Sequence, residues 1–373
     1  MTVFIAGGGT GGHIYPALSM AEALKARIDD VQIYFAGSPS GLETTLVPQA
    51  GYPLFQIPIG RLNSGKWEKI KTLLLLPWAF LYCFFLLIKH RPRFVIGVGG
   101  YASAPMVFVA SLIGVPTYIW EPNAHPGLAN RWLAPFVRKA FVVFEKAKIL
   151  LKAKATVLCG MPVRSDFEVC HNQPLKDLSV IKNVLIFGGS QGARGINQVA
   201  SELFASKPER LNGLKVVHQT GKFDFDWVKE RYESSSTDVD AFAFLNDMPD
   251  RLQWADIVIC RSGASTIAEL MSLGKTGILV PYPYASDDHQ KANAQSLVDQ
   301  DAVVMVEQKD LDIARLESEL LALIESPTRV QEMSQKMHRL FRGQSGPQIV
   351  DAILSELGAG KAPNKVVDTA KDL

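Results

Sequence analysis

Two glycine clusters occur where a parallel α/β protein binds anionic ligands. The first, GGGTGGH, covers residues 7–13, and the second, GGSQGARG, covers residues 188–195. Each cluster follows a short apolar run with strand character and precedes a helical pattern. Unpaired amides and the positive end of a helix dipole then converge on the loop. Both clusters therefore predict anion sites, with a purely structural turn between strand and helix as the alternative.

The first cluster contains the G-x-G-x-x-G pattern of dinucleotide-binding domains, at Gly7, Gly9 and Gly12. That fingerprint also needs an acidic residue at the end of the second strand, where it holds a ribose. The second predicted strand ends in Ala-Gly-Ser at residues 36–38, and the nearest acid, Glu43, lies well beyond it. The sequence therefore argues against nicotinamide or flavin binding, and we expect no cofactor.

The second cluster also matches the G-x-S-x-G nucleophile elbow of hydrolases, with Ser190 at its centre. Asp256 and His289 follow in the order of a catalytic triad. A serine hydrolase is therefore a competing interpretation. It leaves the whole segment 261–295 without a function.

The segment 260–297, CRSGASTIAELMSLGKTGILVPYPYASDDHQKANAQSL, carries the most chemical information. A strand ends at Cys260, and the helix that begins near Ala264 can hold a diphosphate on its first-turn amides and hydroxyls. Glu269 lies four residues after Ser265 on the same helix face, where a carboxylate can accept both hydroxyls of a ribose. Gln290 opens the next helix and can bond a sugar hydroxyl. Together these residues predict a nucleotide-sugar site.

Composition limits the class of protein. With 373 residues the chain exceeds one usual hydrophobic core, so two domains are expected. A net charge of +2 is too small to indicate a nucleic-acid partner. The four cysteines have no paired spacing, which predicts neither a zinc site nor a disulfide framework and indicates a reducing compartment. The first strand begins at residue 3, so we expect no secretion signal.

Strand-like runs alternate with helical patterns, which predicts βαβ units and parallel sheets. Predicted strands cover residues 3–6, 31–36, 94–98, 115–120 and 141–144, then 183–187, 214–219, 241–245, 256–260, 276–281 and 302–307; predicted helices include 14–28 and 128–133. We expect two Rossmann-like domains, 1–160 for the acceptor and membrane and 161–345 for the donor. Residues 346–373 would form a helix that returns to the first domain, and a tail.

An unbroken apolar run of 16 residues, LLLLPWAFLYCFFLLI, covers 73–88. A membrane-spanning helix needs about 20 such residues. Basic residues flank the run on both sides: Lys66, Lys69, Lys71, Lys89, Arg91 and Arg93. A buried core helix, a spanning helix and a helix lying in the surface of an anionic leaflet all remain open.

Several further motifs carry a resemblance to a known family. They are GGTGGH, GVGGYASAP at 97–105, EPN with GLANRWLA between 121 and 134, GMPVRSD, GGSQGARGIN, and RSGAST with AEL and DDHQ. In this order, from residue 7 to residue 296, they closely resemble the MurG family. Pro122 departs from the glutamine associated with that position, and the run 73–88 is more apolar than the family's usual basic and apolar patch.

The resemblance implies a GT-B fold, with two Rossmann-like domains whose parallel sheets face a cleft that closes around the donor. It implies inverting β-1,4 transfer of N-acetylglucosamine from UDP-N-acetylglucosamine to undecaprenyl-diphospho-N-acetylmuramoyl-pentapeptide, in peptidoglycan synthesis. The protein would be peripheral on the cytoplasmic face of the membrane, near cell-wall synthesis or division proteins. No metal is implied, and Asp238 and Asp240, which fit D-x-D, are expected in a solvated loop. A non-catalytic nucleotide-sugar binder is the third interpretation.

The resemblance also implies the site residues. The donor site would contain Thr10, Gly11, Gly12, Asn123, Arg164, Ser190, Leu245, Ala264, Ser265, Thr266, Ile267, Ala268, Glu269 and Gln290. The base that takes the acceptor's proton is either His13, at the start of a helix, or Glu121, at the end of the strand 115–120. His13 could instead cap its helix or bind the acceptor's diphosphate.

Overall fold

A computed structural model of the chain describes residues 1–9, 11–59, 66–163, 165–189, 191–206, 209–235 and 238–358. The chain divides into two units. The first comprises Met1–Pro122, Pro126–Pro162 and the segment that begins at Gln344. The second comprises Asn123–His125 and Val163–Gly343.

The first unit contains, in its described part, a parallel sheet of seven strands in the order β3-β2-β1-β4-β5-β6-β7. The strands are β1 (Thr2–Ala6), β2 (Gln32–Gly37), β3 (Leu54–Gln56), β4 (Phe94–Gly97), β5 (Thr117–Glu121), β6 (Lys139–Val142) and β7 (Thr156–Leu158). Its helices are α1 (Gly11–Lys25), α2 (Glu43–Gln49), α3 (Lys66–His90), α4 (Ser103–Leu112), α5 (Leu128–Leu133) and α6 (Glu145–Leu150).

The second unit contains, within the same described ranges, a parallel sheet of six strands in the order β10-β9-β8-β11-β12-β13. These are β8 (Asn183–Phe187), β9 (Lys215–Gln219), β10 (Val239–Phe242), β11 (Ile257–Cys260), β12 (Gly277–Leu279) and β13 (Val304–Met305). The helices are α7 (Ser165–His171), α8 (Arg194–Ala205), α9 (Phe225–Glu233), α10 (Met248–Trp254), α11 (Ala264–Ser272), α12 (His289–Val298), α13 (Ile313–Ile324) and α14 (Pro327–Leu340). The last helix, α15 (Ser345–Glu356), belongs to the first unit, where Asp351 pairs with Arg27 on the loop after α1.

The topology fixes where each glycine cluster lies. β1 pairs with β2 on one side and β4 on the other, and β8 likewise lies between β9 and β11. In each sheet the strand order reverses at this central strand, and in open α/β sheets ligands bind at such switch points, beyond the carboxyl ends of the strands. Both clusters directly follow the central strands, so the fold places both at the binding edges.

All strands predicted from the sequence are present; β8 has the predicted bounds, and the others have shifted ends. The two that were missed, β3 and β7, are three-residue strands at the edges of the first sheet, too short for a periodic signal. The prediction of a strand at 241–245 was displaced, because β10 covers Val239–Phe242. Asp240 therefore lies on an edge strand, and its placement in a solvated loop was wrong, although Asp238 and Asp240 are both exposed.

Helix α3 has two apolar faces with different surroundings. Ala79, Cys83 and Leu87 follow a four-residue spacing and are buried against the first unit's core. On the opposite side Trp78 and Phe85 are 66% and 59% exposed. Across the described residues, the helices offer no apolar stretch of the length needed to cross a bilayer.

Candidate functional site

The glycine loop after β8 is clamped on the end of β9. A Cβ on Gly192 would lie 1.9 Å from the carbonyl oxygen of Thr220, and one on Gly221 would lie 2.2 Å from that of Gln191. Gln219 adds a hydrogen bond of 2.9 Å from its amide nitrogen to the carbonyl of Gly189. Two backbones meet here with no room for side chains, so these two positions require glycine.

A network of buried polar side chains contacts Thr220, whose carbonyl faces this loop. The Asn197 amide donates to the carbonyl of Thr220 (2.7 Å) and to Asp224 Oδ2 (2.8 Å). Its Oδ1 lies 3.1 Å from His218 Nε2, and Nδ1 of the same ring lies 2.9 Å from the Tyr232 hydroxyl. Burial lowers the pKa of His218 to about 3. The ring is therefore neutral at pH 7, with Nε2–H donating to Asn197 and Nδ1 accepting from Tyr232.

The second element of the site is the start of α11. Gly263 is the N-cap residue with extended backbone, so the first-turn amides of α11 have no partner within the helix. Ala264, Ser265 and Thr266 are only partly buried, as is Glu269 one turn further along. Ile267 and Ala268 are buried in the unit's core. Their side chains therefore serve packing, and their contact with the donor stays a prediction.

A buried arginine lies beside this turn. Arg261 is 8% exposed and donates to the carbonyls of Val280 and Pro281, each at 3.1 Å, and to Gln308 Oε1 at 2.5 Å. Burial lowers the pKa of Arg261 to about 10, which leaves the guanidinium charged at pH 7. Among the described residues, the partners of this cation are carbonyl groups and include no carboxylate. Its charge is therefore not neutralised by an ion pair, and it contributes positive potential at the edge of the sheet.

Helix α12 connects two further residues predicted for the donor site, Gln290 and Asn123, to the same turn. The backbone carbonyl of Gln290 accepts from the Ser262 hydroxyl at 2.8 Å, and Gln290 Oε1 accepts from the Tyr282 amide at 3.0 Å. The fully buried Asn293, on the same helix face, donates to Asn123 Oδ1 at 3.2 Å. The structure thus brings Gln290 and Asn123 together with the start of α11.

The other predicted donor residues differ in their outcome. Leu245 lies just after β10 and is 5% exposed, so its side chain packs inside the unit. Gly11 and Gly12 form the first turn of α1 in the first unit. Thr10, Arg164 and Ser190 lie outside the described residues.

His13 lies in the first turn of α1 with its ring fixed from two sides. Its Nδ1 is 2.8 Å from the carbonyl oxygen of Val98, and a Cβ on Gly99 would lie 2.7 Å from the ring. A carbonyl can only accept, so the neutral ring carries its proton on Nδ1. Nε2 then holds the lone pair that a general base requires.

Glu121 forms hydrogen bonds to the segment that follows its own strand. It is 1% exposed, and its Oε2 accepts from the amide of Gly127 at 3.0 Å and from the side-chain amide of Asn130 at 2.9 Å. These bonds tie the loop after β5 to the start of α5. The carboxylate therefore shapes the loop that precedes α5.

The hydrolase interpretation fails on topology. Asp256 precedes β11, and its Oδ2 accepts from the amides of Lys182 and Asn183 at 2.8 Å each, where β8 begins. β8 ends at Phe187, at the opposite edge of the same sheet. A strand's length therefore separates Asp256 from the described residues that follow β8, which argues against a triad built on the loop after this strand.

Comparisons with known proteins identify the family of this chain. The glycosyltransferase family 28 N-terminal domain matches residues 3–142, and the glycosyltransferase family 28 C-terminal domain matches residues 183–346. The UDP-N-acetylglucosamine--N-acetylmuramyl-(pentapeptide) pyrophosphoryl-undecaprenol N-acetylglucosamine transferase of Bdellovibrio bacteriovorus is 43% identical over 353 residues, which are 94% of this chain and 98% of that protein. The protein of the same name from Myxococcus xanthus is 38% identical, over 98% of this chain and 95% of its own length.

Among solved structures, the crystal structure of Acinetobacter baumannii MurG matches with a TM-score of 0.78 and 26% identity, over 95% of this chain and 99% of that one. This chain belongs to the MurG family. Its two parallel sheets confirm the GT-B fold predicted from the motifs, and the family membership confirms a transferase over a hydrolase or a non-catalytic binder.

Sequence reasoning missed the buried polar residues that hold the site: Glu43, Asn197, His218, Arg261 and Asn293. Two of them had a detectable signal. His218 interrupts the apolar strand β9, and Asn197 follows Ile196 on a helix whose other buried positions are mostly apolar. A polar residue on a buried face indicates an internal hydrogen bond, although its partner cannot be identified from periodicity.

The His218 network predicts a specific loss of stability in acid. The folded protein keeps the ring neutral down to a pKa of about 3, whereas the unfolded chain takes up a proton near pH 6.5. The unfolded state therefore binds more protons below pH 6.5. As a result, the free energy of unfolding decreases by up to about 1.4 kcal/mol for each unit by which the pH is lowered. For His218→Gln we expect the free energy of unfolding, measured with urea, to depend less steeply on pH between 6.5 and 4.5. The difference in slope should correspond to close to one proton. Equal slopes in the two proteins would contradict the buried neutral ring.

Proposed function

We propose that this chain transfers N-acetylglucosamine from UDP-N-acetylglucosamine to the 4-hydroxyl of undecaprenyl-diphospho-N-acetylmuramoyl-pentapeptide, with inversion, as a step of peptidoglycan synthesis. The observation that carries the proposal is the match, over nearly the whole chain, to transferases named for this reaction. The second unit's nucleotide-sugar type of site supports it independently. The acceptor oxygen attacks C1 of the donor sugar, the bond from C1 to the diphosphate breaks, and UDP leaves.

The donor's parts correspond to separate features of the second unit. The first-turn amides of α11 bind the diphosphate, and the adjacent Arg261 cation adds to the positive potential there. Glu269, partly exposed on the same helix, accepts both ribose hydroxyls. Gln290, held beside Ser262, bonds a hydroxyl of the sugar. The α11 amides and the Arg261 cation also stabilise the negative charge that develops on the departing UDP.

His13 is the base in this proposal. The hydrogen bond from Nδ1 to Val98 selects the tautomer whose Nε2 can take the proton of the acceptor's 4-hydroxyl. Glu121 already accepts two hydrogen bonds with one oxygen and holds its loop. These contacts support His13 as the group that takes the proton and Glu121 as a residue that holds its loop.

Replacing the base should separate chemistry from donor binding. We expect His13→Ala to lower kcat by about 10²–10⁴-fold, the usual cost of losing a general base, with UDP affinity nearly unchanged. The lower limb of the pH–rate profile should disappear. If His13→Ala keeps most of its kcat while folded Glu121→Ala loses it, Glu121 is the base instead.

Replacing Glu269, the carboxylate proposed to bind the ribose, should affect the kinetics of the donor alone. Hydrogen bonds to a charged group contribute about 1.5–3 kcal/mol each, so Glu269→Ala should raise the donor KM sharply and leave the acceptor KM near its original value. Glu202→Ala, which removes an exposed carboxylate from α8, is the control and should change neither constant. A folded Glu269→Ala with unchanged donor KM would end this assignment.

We also propose that the exposed face of α3 lies in the surface of an anionic membrane, on its cytoplasmic side. Leu74, Trp78, Leu81, Phe85 and Ile88 are 71%, 66%, 43%, 59% and 50% exposed, and their spacing of four and three residues puts them on one helix face. Exposed Lys89, Arg91 and Arg93 follow immediately and can attract anionic headgroups. Such a face suits an enzyme whose acceptor is anchored in lipid. Association with other cell-wall synthesis or division proteins stays a prediction from the resemblance.

Vesicle binding tests this surface. Trp78→Asp with Phe85→Asp should abolish binding to anionic vesicles and leave turnover of a soluble acceptor analogue intact. High salt should weaken binding of the unmodified protein. Phe223→Asp, which changes an aromatic side chain that is 84% exposed on the second unit, should bind vesicles normally. Unaltered vesicle binding by the double variant would refute the proposed membrane face.

A further inference from the structure

Glu43 places a buried carboxylate inside the first glycine loop. Its side chain is fully buried, and the structure gives it three hydrogen bonds among the described residues. Oε2 accepts from the amide of Gly9 at 2.7 Å, and Oε1 accepts from the amide and the hydroxyl of Ser38 at 2.8 and 2.7 Å. No Lys, Arg or His of the described chain forms an ion pair with it, so this anion is held by N–H and O–H donors.

The space for this carboxylate is built by glycines from three segments. A Cβ on Gly8 would lie 2.3 Å from the Glu43 carboxyl group, one on Gly37 would lie 2.6 Å from its Cγ, and one on Gly41 would lie 1.9 Å from Oε2. Any side chain at these positions would displace the acid. Because these glycines have no side chains, the carboxyl group of Glu43 fits between them.

The carboxylate takes the place that phosphate has in other loops of this pattern. A G-x-G-x-x-G loop after a first strand normally offers its amides to a pyrophosphate. Here the Gly7 amide donates to Ala36, the Gly8 amide donates to Gly99, and the Gly9 amide donates to Glu43. All three loop amides are committed to internal acceptors, and a negative charge already occupies the cradle. This accounts for the pattern's failure to signal a dinucleotide.

The same contacts lead directly to His13. The carbonyl of Gly99, which accepts from the Gly8 amide, belongs to the residue that packs against the His13 ring. The neighbouring Val98 carbonyl holds His13 Nδ1. A Cβ on Gly100 would lie 2.5 Å from the Gly8 carbonyl oxygen, so the two loops are packed too closely to move independently.

We propose that Glu43 is a positioning residue for the acceptor half of the reaction. Its carboxylate is a built-in anion that fixes the loop 7–9, and this loop holds residues 98–100 against His13 and sets the imidazole tautomer. The inference rests on the proposed function for its effect on turnover. Its effect on the tautomer is independent of that function.

The tautomer of His13 is the direct readout. With ¹⁵N-labelled histidine, the unmodified protein at neutral pH should show the ring shifts of a proton on Nδ1. Glu43→Gln keeps the shape but turns amide hydrogens toward backbone donors, so the His13 signals should move toward a mixture of tautomers. Glu22→Gln, the same chemical change at an exposed position of α1, should keep the original signals. Unchanged His13 shifts in folded Glu43→Gln would overturn the proposal.

Kinetics give a second readout. A misplaced base costs about 10²-fold in rate, so kcat of Glu43→Gln should fall by roughly that factor while the Kd for UDP stays the same. A normal kcat in the folded variant also overturns the proposal. If His13→Ala retains its activity while Glu43→Gln shifts the His13 signals, the proposed base is wrong and the positioning role stands.

Gly41→Ala covers the case in which Glu43→Gln does not fold. Its Cβ would expel the carboxylate from the cradle and leave the charge present, and the backbone at Gly41 is not in the left-handed region. We expect the same tautomer shift and loss of kcat as in Glu43→Gln. Original His13 signals and kcat in Gly41→Ala would overturn the proposal.

Discussion

Close approach of backbone to backbone at the carboxyl ends of the central strands is the constraint on which the rest of the structure depends. Each central strand is buried on both sides and must turn into a helix within a few residues. At Gly192 and Gly100 the facing carbonyl lies within 1.9 and 2.5 Å of where a Cβ would be. Such packing restricts the loops, and the groups proposed for catalysis and binding lie on or beside them.

Buried ionisable groups hold these loops in three different ways. Glu43 is an anion surrounded by amide and hydroxyl donors, Arg261 is a cation surrounded by carbonyls, and His218 is kept neutral between Asn197 and Tyr232. Burying a charge costs several kcal/mol, and apolar residues of similar size are often at least as stabilising. These residues therefore contribute geometry more than stability. Each one connects a loop at the binding edge to a fixed part of the sheet.

The two faces of helix α3 have different surroundings. Its inner face completes the core of the first unit, whereas its outer face presents large apolar side chains to the surroundings. Exposed apolar surface is costly in water at about 25 cal/mol per Å², so the outer face is a liability unless something covers it. A lipid surface would cover it, and it would bring the first unit, which holds His13, to the depth of a lipid-linked acceptor.

The sequence alone determined the features that depend on local pattern. Alternating apolar strands and helices gave two parallel sheets, glycine clusters marked the binding edges, and the order of motifs identified the family. The start of α11, with Glu269 one turn further along, was also predictable, because helix periodicity fixes which residues share a face.

Only the tertiary structure decided which residues hold those features in place. Glu43 lies six residues beyond the end of β2, yet its carboxylate returns to Ser38 and crosses to Gly9, 34 residues away. Asp256 follows Ser190 in the order of a hydrolase triad but binds the amides where β8 begins, away from the edge where β8 ends. Ile267 and Ala268 share the motif of the donor site and are buried in the core. Hydrogen bonds and steric contacts act over a few ångströms in space, and spacing along the chain does not encode which distant residues come within that range.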